Sequence, residues 1–174
     1  FDIDGMAPID RYELLLGTIV PRPIALITTL GAEGAVNAAP YSVFNVMGAM
    51  VSVLAHPEAR LKDTANNILA TKEFVINLVS EALAEAMNIT CIDAPPGVNE
   101  LELANIETVA SVKVKPPRVI ASPVAFECRF LTSISFGPNQ AILAGQIVHA
   151  YVEDRFVRDS ARGLVDTPEL NLSA

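Results

Sequence analysis

The sequence has few of the residues from which metal centres and disulfide frameworks are built. Its 174 residues include two cysteines, two histidines and no tryptophan. Cys91 and Cys128 form no CxxC pair, and two histidines give no zinc-ligand spacing. A disulfide framework is excluded by number. We therefore expect no metal, a cytoplasmic location, and two free thiols that pack as small apolar side chains.

Positive charge is scarce as well. Twelve Lys and Arg residues stand against twenty Asp and Glu, which gives a net charge of −8 and a pI of about 4.7. No stripe of basic residues is present, and this argues against nonspecific binding to nucleic acid or to an anionic membrane. An anionic ligand would need a local basic pocket of its own.

No uninterrupted apolar run suits a membrane-spanning helix, although hydrophobic residues make up 51% of the chain. Residues 34–55 carry no charge, but Asn37, Pro40, Ser42 and Asn45 interrupt them. A spanning helix needs about 20 mostly apolar residues. We interpret the stretch as buried strands, expect no secretory signal at the start, and expect residues 1–174 to form one domain.

The common enzyme motifs are also missing. The sequence contains no nucleophile elbow, no P-loop and no Rossmann glycine fingerprint, so the usual hydrolase, kinase and dehydrogenase signatures are absent. A protein without an acid, base or nucleophile constellation can still be an enzyme if a bound cofactor carries out the reaction.

Short, closely punctuated apolar segments predict an antiparallel meander or barrel with peripheral helices. Gly31 and Gly34 mark the turn of a hairpin, and Ser80 can cap a helix whose apolar face holds Leu83, Ala86 and Met87. The predicted helices span residues 8–17, 65–70 and 81–88, and the predicted strands span residues 24–29, 36–44, 50–55, 73–78, 123–131 and 140–152.

The last two predicted strands differ in their patterns. Residues 123–131 alternate, which predicts a half-buried strand with Glu127 and Arg129 on the solvent side. In residues 140–152 both faces are apolar, with Ile142, Ala144 and Val148 on one and Leu143, Ile147 and Tyr151 on the other. One face would fill the barrel and the other would meet a helix or a second subunit, so we expect a homodimer.

One segment suits a phosphorylated ligand. Arg60 and Lys62 place positive charge just before a predicted helix, and Thr64 adds a hydroxyl group. The N–H groups and dipole of a helix start favour an anion. The alternative is an ordinary surface helix start, with Asp63 or Thr64 as its N-cap.

Five segments together resemble the flavin reductase-like family, which includes flavoredoxins. They read PRPIALITT (21–29), NAAPYSVFN (37–45), KDTANNI (62–68), APPGVNELELA (94–104) and SPVAFECRF (122–130). The resemblance covers nearly the whole chain. It implies a mainly β, Greek-key-like fold with peripheral helices: an antiparallel split β-barrel that binds FMN and is usually dimeric.

The resemblance also implies a set of cofactor-binding residues. Lys62, Asp63 and Thr64 match the segment that holds the phosphate end, where Asp63 would cap the helix or orient Lys62. The strand residues that match the segments beside the isoalloxazine ring are Thr28, Thr29, Asn37, Ala39, Tyr41 and Ser42. The alternative for these strand residues is barrel core with ordinary hairpin hydrogen bonds.

Arg22 and His149 carry no assignment within this set of cofactor-binding residues. Arg22, between two prolines, is either a cation held near the flavin or a surface charge. We interpret His149 as a packed or interfacial side chain, because hydride transfer to a flavin needs no protein acid or base.

The resemblance implies an FMN-binding oxidoreductase. Such a protein takes a hydride from NADH or NADPH, which binds as a transient substrate, and passes electrons to a second flavin or another acceptor. One alternative is a flavoredoxin-like carrier that holds FMN tightly and exchanges electrons with a protein partner. Another is a barrel that binds a different small anion or apolar ligand without redox chemistry.

Overall fold

The computed structural model describes residues 1–47, 50–55, 63–92, 94–95, 97–135 and 141–173. These residues form a large antiparallel sheet with helices around it. The helices are α1 (Pro8–Thr18), α2 (Asp63–Thr71), α3 (Glu81–Ile89) and α4 (Glu100–Leu103). The strands are β1 (Ala25–Leu30), β2 (Val36–Tyr41), β3 (Phe44–Met47), β4 (Met50–Ala55), β5 (Glu73–Leu78), β6 (Thr108–Val109), β7 (Arg118–Val119), β8 (Val124–Ser135), β9 (Ala141–Val152), β10 (Val157–Asp159) and β11 (Leu164–Val165).

The main sheet has seven strands in the order β2-β1-β5-β8-β9-β4-β3, and each neighbouring pair is antiparallel. Strand β1 lies beside β5 and β4 lies beside β9, so neighbours in space are often distant along the chain. Two small sheets, β6–β7 and β10–β11, have two strands each. The predicted antiparallel, Greek-key-like β fold with peripheral helices is confirmed.

The β1–β2 hairpin forms where the sequence predicts it. Thr29 faces Asn37 across the pair, and Gly34 adopts a positive φ of 85° in the connecting loop. Glycine suits this left-handed backbone because it has no Cβ atom. The second strand is shorter than expected, however: β2 ends at Tyr41, and Phe44 already begins β3.

Apolar side chains pack on both faces of β1. Ala25 and Ile27 belong to a cluster with α2, β5, β8 and β9, whereas Leu26 on the reverse face packs with α3, α4 and β7. Period-2 alternation puts consecutive residues on opposite faces, so β1 is buried on both sides. The hairpin is therefore held by apolar packing on both faces, with α3 and α4 on one face and α2 and the other strands of the sheet on the opposite face.

A β-bulge reverses the predicted facing of the end of β9. Glu127 pairs with His149, but the next residue of β8, Cys128, pairs with Ile147, so Val148 is an extra residue. An extra residue changes the side on which the following residues lie. The expectation that Val148 and Tyr151 face opposite ways is therefore wrong, because both pack against the same apolar cluster.

Glu127 is buried, which contradicts its predicted position on the solvent side of the strand. Its residue exposure is 1%, and its two carboxylate oxygens accept hydrogen bonds from the backbone N–H groups of Val112 and Lys113 at 2.8 and 2.5 Å. The segment before β7 covers this face of the sheet, which strand periodicity alone does not reveal. Arg129 is exposed, as expected.

The helix predictions hold with small corrections. Leu83 and Met87 are buried on α3, and Ser80 occupies the N-cap position, although its side chain makes no capping hydrogen bond. Asp63 and Thr64 lie inside the first turn of α2 and not before it, so neither is its N-cap. Arg60 and Lys62 lie outside the described residues. Within the described ranges, no helix combines the length and apolar character that crossing a membrane requires.

Candidate functional site

A cluster of polar side chains forms where α2 begins against the β1–β2 hairpin. We call Thr29, Asn37, Tyr41, Thr64 and Asn67 the hairpin–helix cluster. Asn37 Nδ2 donates to Thr64 Oγ1 at 3.1 Å and approaches Thr29 Oγ1 at 3.4 Å, while Asn67 Nδ2 donates to Thr29 Oγ1 at 3.0 Å. The hydroxyl groups of Tyr41 and Thr64 are also hydrogen-bonded.

Regular secondary structure accounts for this convergence. Thr29 and Asn37 are cross-strand partners, and Tyr41 lies on the same face of β2 because it is an even number of residues away. Thr64 and Asn67 are three residues apart on α2 and share a helix face. Asn67 is absent from the sequence-based site, although the spacing within KDTANNI could have identified it.

The cluster is uncharged. Burial raises the pKa of Tyr41, an effect that the hydrogen bond with Thr64 partly opposes and the nearby negative charge of Asp63 reinforces. The phenol therefore stays protonated at neutral pH. The Thr64 hydroxyl is buried and has protein partners, so it joins α2 to the hairpin. Asp63, expected from the sequence to cap the helix or orient Lys62, lies half-buried at the helix start.

The other predicted strand residues occupy three different places. Ala39 is half-buried on the same face as the cluster, and Ser42 lies just past the end of β2. Thr28 lies on the reverse face of β1, where its hydroxyl donates to the Pro117 carbonyl oxygen at 2.6 Å. The structure thus brings Thr29, Asn37, Ala39 and Tyr41 together and places Thr28 apart from them.

Ser42 lines a cavity of about 340 Å³, which we call the Arg22 cavity. Its walls come from the segment between α1 and β1, the bend between β2 and β3, and strand β9. The lining residues are Ile19, Pro21, Arg22, Pro23, Ser42, Val43, Phe44, Asn45 and Ile142. A mainly apolar cavity with a few polar groups is typical of a site for a small organic ligand.

Arg22 is the one cation among these lining residues. Its Nη1 atom donates to the carbonyl oxygens of Leu16 and Ile19, the latter at 2.7 Å, and so closes the carbonyl end of α1. Its Nε atom is buried and has no hydrogen-bond partner among the described residues. A buried N–H donor without a partner is unfavourable, and Arg11 Nε shares this condition.

A second cavity, of about 550 Å³, lies at the turn of the hairpin and is lined by Gly34, Ala35, Val36, Gly97, Val98, Asn99, Glu102 and Leu103. Its charged lining group is the carboxylate of Glu102, which accepts a hydrogen bond from Asn99 at 2.9 Å. Negative charge in the wall disfavours an anion, so the Arg22 cavity suits a phosphorylated or electron-rich ligand better.

Two buried polar side chains hold the reverse side of the hairpin, and the sequence analysis missed both. Glu100, 7% exposed, accepts a hydrogen bond from the Ala38 N–H at 2.9 Å. Asn77 donates to the Leu26 carbonyl oxygen at 3.0 Å and accepts from the Val119 N–H at 2.8 Å. A helix-capping Asn99 beside Glu100 was visible in the sequence, but nothing there indicated that this carboxylate is buried.

His149 lies on the sheet face opposite the hairpin–helix cluster. Its Nδ1 atom is 3.4 Å from Glu127 Oε1, and its side chain is one-third exposed. In the part of the chain that the structure describes, no three His, Cys, Asp or Glu side chains are grouped so as to hold a metal ion.

Comparison with known proteins places this architecture among flavin proteins. The model of the flavin reductase like domain matches residues 16–165. YwrF of Bacillus subtilis (strain 168), an uncharacterized protein, is 37% identical over an alignment of 179 positions, gaps included, which covers 98% of this chain and 87% of YwrF.

Solved structures agree with this assignment. Nitrilotriacetate monooxygenase component B from Bacillus cereus superposes with a TM-score of 0.93 at 30% identity, covering 99% of this chain and 88% of that one. The 2-nitrobenzoate 2-nitroreductase NbaA of Pseudomonas fluorescens gives a TM-score of 0.86 at 33% identity, covering 95% and 81%. The split-barrel domain of a protein from Shewanella frigidimarina NCIMB 400 gives a TM-score of 0.85 at 20% identity, covering 98% and 85%, which shows a common fold.

Proposed function

The chain belongs to the flavin reductase-like domain family, and from this premise we propose that it binds FMN and acts as an NAD(P)H-dependent flavin reductase. The match over residues 16–165 carries the proposal, because it spans the hairpin, the start of α2 and the Arg22 cavity. FMN supplies the redox chemistry: it accepts a hydride from a reduced nicotinamide and hands electrons on.

The residues around the cavity fit such a group. FMN has a phosphate at one end and a ring edge rich in oxygen and nitrogen acceptors at the other. Arg22 and Ser42 line a mainly apolar cavity, which suits the ring. Lys62 and the N–H groups at the start of α2 suit the phosphate. The described carboxylate at that helix start, Asp63, would orient Lys62.

The hairpin–helix cluster would connect these two ends. Thr64 stands in the first turn of α2, and its hydrogen bond to Tyr41 reaches the residue just before Ser42. We therefore propose that Thr29, Asn37, Tyr41 and Thr64 hold the two ends of the site in place. The small side chain of Ala39 would leave space for the flavin ring. Thr28 is not part of this assignment, because its side chain points to the reverse face.

The protein would act mainly by positioning and by electrostatics. Apolar walls exclude water from the ring, and fixed donors meet charge where it develops during the reaction. NADH or NADPH would be a transient substrate and a second flavin the acceptor. The name of one relative describes a component of a monooxygenase, which favours an acceptor outside the chain. We further propose a cytoplasmic homodimer that can also pass electrons to a protein acceptor.

Anaerobic reduction tests the proposal. Protein, FMN and either NADH or NADPH are mixed under argon, and flavin absorbance is followed. We expect bleaching that depends on the protein. Absence of bleaching with both nucleotides would contradict the reductase. In that case, FMN retained through a desalting column would indicate an electron carrier, and a melting temperature indifferent to FMN would indicate a barrel for another ligand.

The phosphate end can be tested separately by equilibrium binding of FMN, followed by fluorescence quenching. Lys62→Ala removes the charge assigned to the phosphate, and a charge-assisted hydrogen bond contributes about 1.5–3 kcal/mol, so we expect a loss of affinity of at least tenfold. Lys115→Ala, an exposed lysine elsewhere, is the matched control. Equal affinities in the two variants would show that the phosphate end is assigned wrongly.

A further inference from the structure

Arg22 is fixed in place by part of its guanidinium group only. Nη1 is held by the carbonyl oxygens of Leu16 and Ile19 at the end of α1, while Nε remains a buried donor beside the cavity. The guanidinium is therefore anchored by its Nη1 atom, while Arg22 lines the cavity.

The cavity gives this charge an environment in which it acts strongly. Six of the lining residues are Ile, Pro, Val or Phe, and the arginine guanidinium is a planar, delocalised cation. Charge interactions are weakly screened where apolar groups exclude water. The cavity thus offers a permanent positive charge to whatever ring it holds.

We propose that Arg22 stabilises the reduced form of the bound flavin and thereby raises its reduction potential. This inference rests on the proposed function. A hydride taken from NADH or NADPH brings two electrons and one proton to a neutral ring, which then carries one negative charge, while the nicotinamide becomes oxidised. A fixed cation beside the ring therefore binds the reduced form more tightly than the oxidised form.

The position of Arg22 explains why the charge is held rigidly. The residue stands between Pro21 and Pro23, whose fixed φ angles restrict the backbone on both sides. Across the cavity, Asn45 turns its Oδ1 atom to the Val46 N–H at 2.8 Å, so its acceptor is already occupied. Arg22 and Asn45 thus face the same cavity from two different walls, one charged and one neutral.

The test compares the affinities of each variant for oxidised and for reduced FMN, together with the midpoint potential of the bound flavin. In Arg22→Gln the amide can still donate to the helix carbonyls but carries no charge. We expect its preference for reduced over oxidised FMN to fall at least tenfold, which corresponds to a potential about 30 mV lower for a two-electron couple. Arg22→Lys retains the charge and should stay close to the wild type.

A second variant leaves the end of α1 untouched. Asn45→Asp places a negative charge in the same cavity and keeps the acceptor for the Val46 N–H. It should shift the preference in the same direction as Arg22→Gln, even if that variant fails to fold. Arg155→Gln removes one exposed arginine elsewhere and should leave the preference unchanged.

The outcomes separate this inference from the function on which it rests. If wild-type protein binds FMN and the Arg22 and Asn45 variants keep its preference for the reduced form, the role of Arg22 is overturned and the flavin assignment stands. If the wild type binds FMN in neither form, both are overturned. If Arg155→Gln changed the preference for reduced FMN as much as Arg22→Gln does, the effect would not come from the charge in the cavity, and the proposal would be overturned.

Discussion

Gly145 is a residue whose position in β9 leaves no room for a side chain. A Cβ atom there would lie 2.5 Å from Cζ of Phe74, which is fully buried and cannot move aside. Overpacking of a dense core costs about 1–3 kcal/mol. We expect Gly145→Ala to lower the free energy of unfolding by that amount, measured by urea denaturation.

Gly17 provides the matched control for this substitution. It lies inside α1, and a Cβ atom would meet nothing within 4 Å. Alanine favours the helix over glycine by up to about 1 kcal/mol. Gly17→Ala should leave stability unchanged or raise it, so equal losses in the two variants would contradict the steric explanation.

The thiol of Cys128 makes the free energy of unfolding depend on pH in the alkaline range. Burial raises the pKa of its thiol, and the charge of Glu127 adds to this, so the folded protein keeps the proton. The unfolded chain loses it above about pH 8.5. The unfolded state then binds fewer protons, and stability falls as the pH rises, by about 1.4 kcal/mol per unit. The effect is absent below the unfolded pKa.

The measurement is the free energy of unfolding at several pH values between about 8 and 10, in the wild type and in Cys128→Ala. The alanine variant will be less stable throughout because it leaves a small cavity. Its slope against pH should nevertheless be shallower, since it has no buried thiol. Parallel slopes would show that the Cys128 proton does not contribute.

At the scale of elements, the segment before β7 is attached to β8 by Glu127. The buried carboxylate of Glu127 accepts the N–H groups of Val112 and Lys113 in part-buried hydrogen bonds, and a lost partner in such a bond costs about 1–3 kcal/mol. In Glu127→Gln one amide oxygen replaces two carboxylate oxygens. We expect lower stability and faster hydrogen exchange at both amides.

Glu73 on β5 offers a control, because its side chain also binds the segment before β7. Its Oε2 atom accepts the Lys115 N–H at 2.9 Å, but this bond is exposed to water. Water can replace the lost partner there, so Glu73→Gln should change stability by less than about 0.5 kcal/mol. If both variants lost the same stability, burial would not be the reason for the effect at Glu127.

The spacing of apolar residues predicts most of the helices and strands, because the formation of each one depends mainly on residues close together in the sequence. The strand at Glu73–Leu78 has the bounds that its β-branched and apolar pattern indicates, and the helix on which Leu83 and Met87 are buried follows from their spacing. The bulge at Val148 and the burial of Glu127 depend on strand register and on a distant covering segment. Neither leaves a periodic signal in the sequence.

The candidate site also has some features that the sequence predicts and others that depend on contacts distant in the sequence. Motif order and helix spacing bring Thr29, Asn37 and Thr64 to one place, and strand alternation could have separated Thr28 from them. The unpartnered Nε of Arg22 has no sequence signal, because it depends on which carbonyl oxygens the end of α1 presents. The prolines on either side of Arg22 predict a rigid backbone at this residue, but they do not predict which groups its side chain contacts.

For the whole molecule, the far half of β8 suggests where a second copy would pack. Leu131 and Ile134 are 48% and 56% exposed, and Ile134 pairs with Ile142, which lines the Arg22 cavity. An apolar strand end left open to water favours association. A homodimer formed there would cover the neighbourhood of the cavity, so dimerisation and flavin binding should be coupled.

We therefore expect Ile134→Glu to convert a dimer into a monomer, measured by light scattering after gel filtration, and to weaken FMN binding in the same preparation. Ile92→Glu, a substitution at an isoleucine that is 48% exposed elsewhere, should change neither quantity. A charged residue buried in an interface is strongly unfavourable, whereas one on a free surface costs little. A wild type that is already monomeric, or an Ile134→Glu dimer with full FMN affinity, would show that this strand end is not the interface.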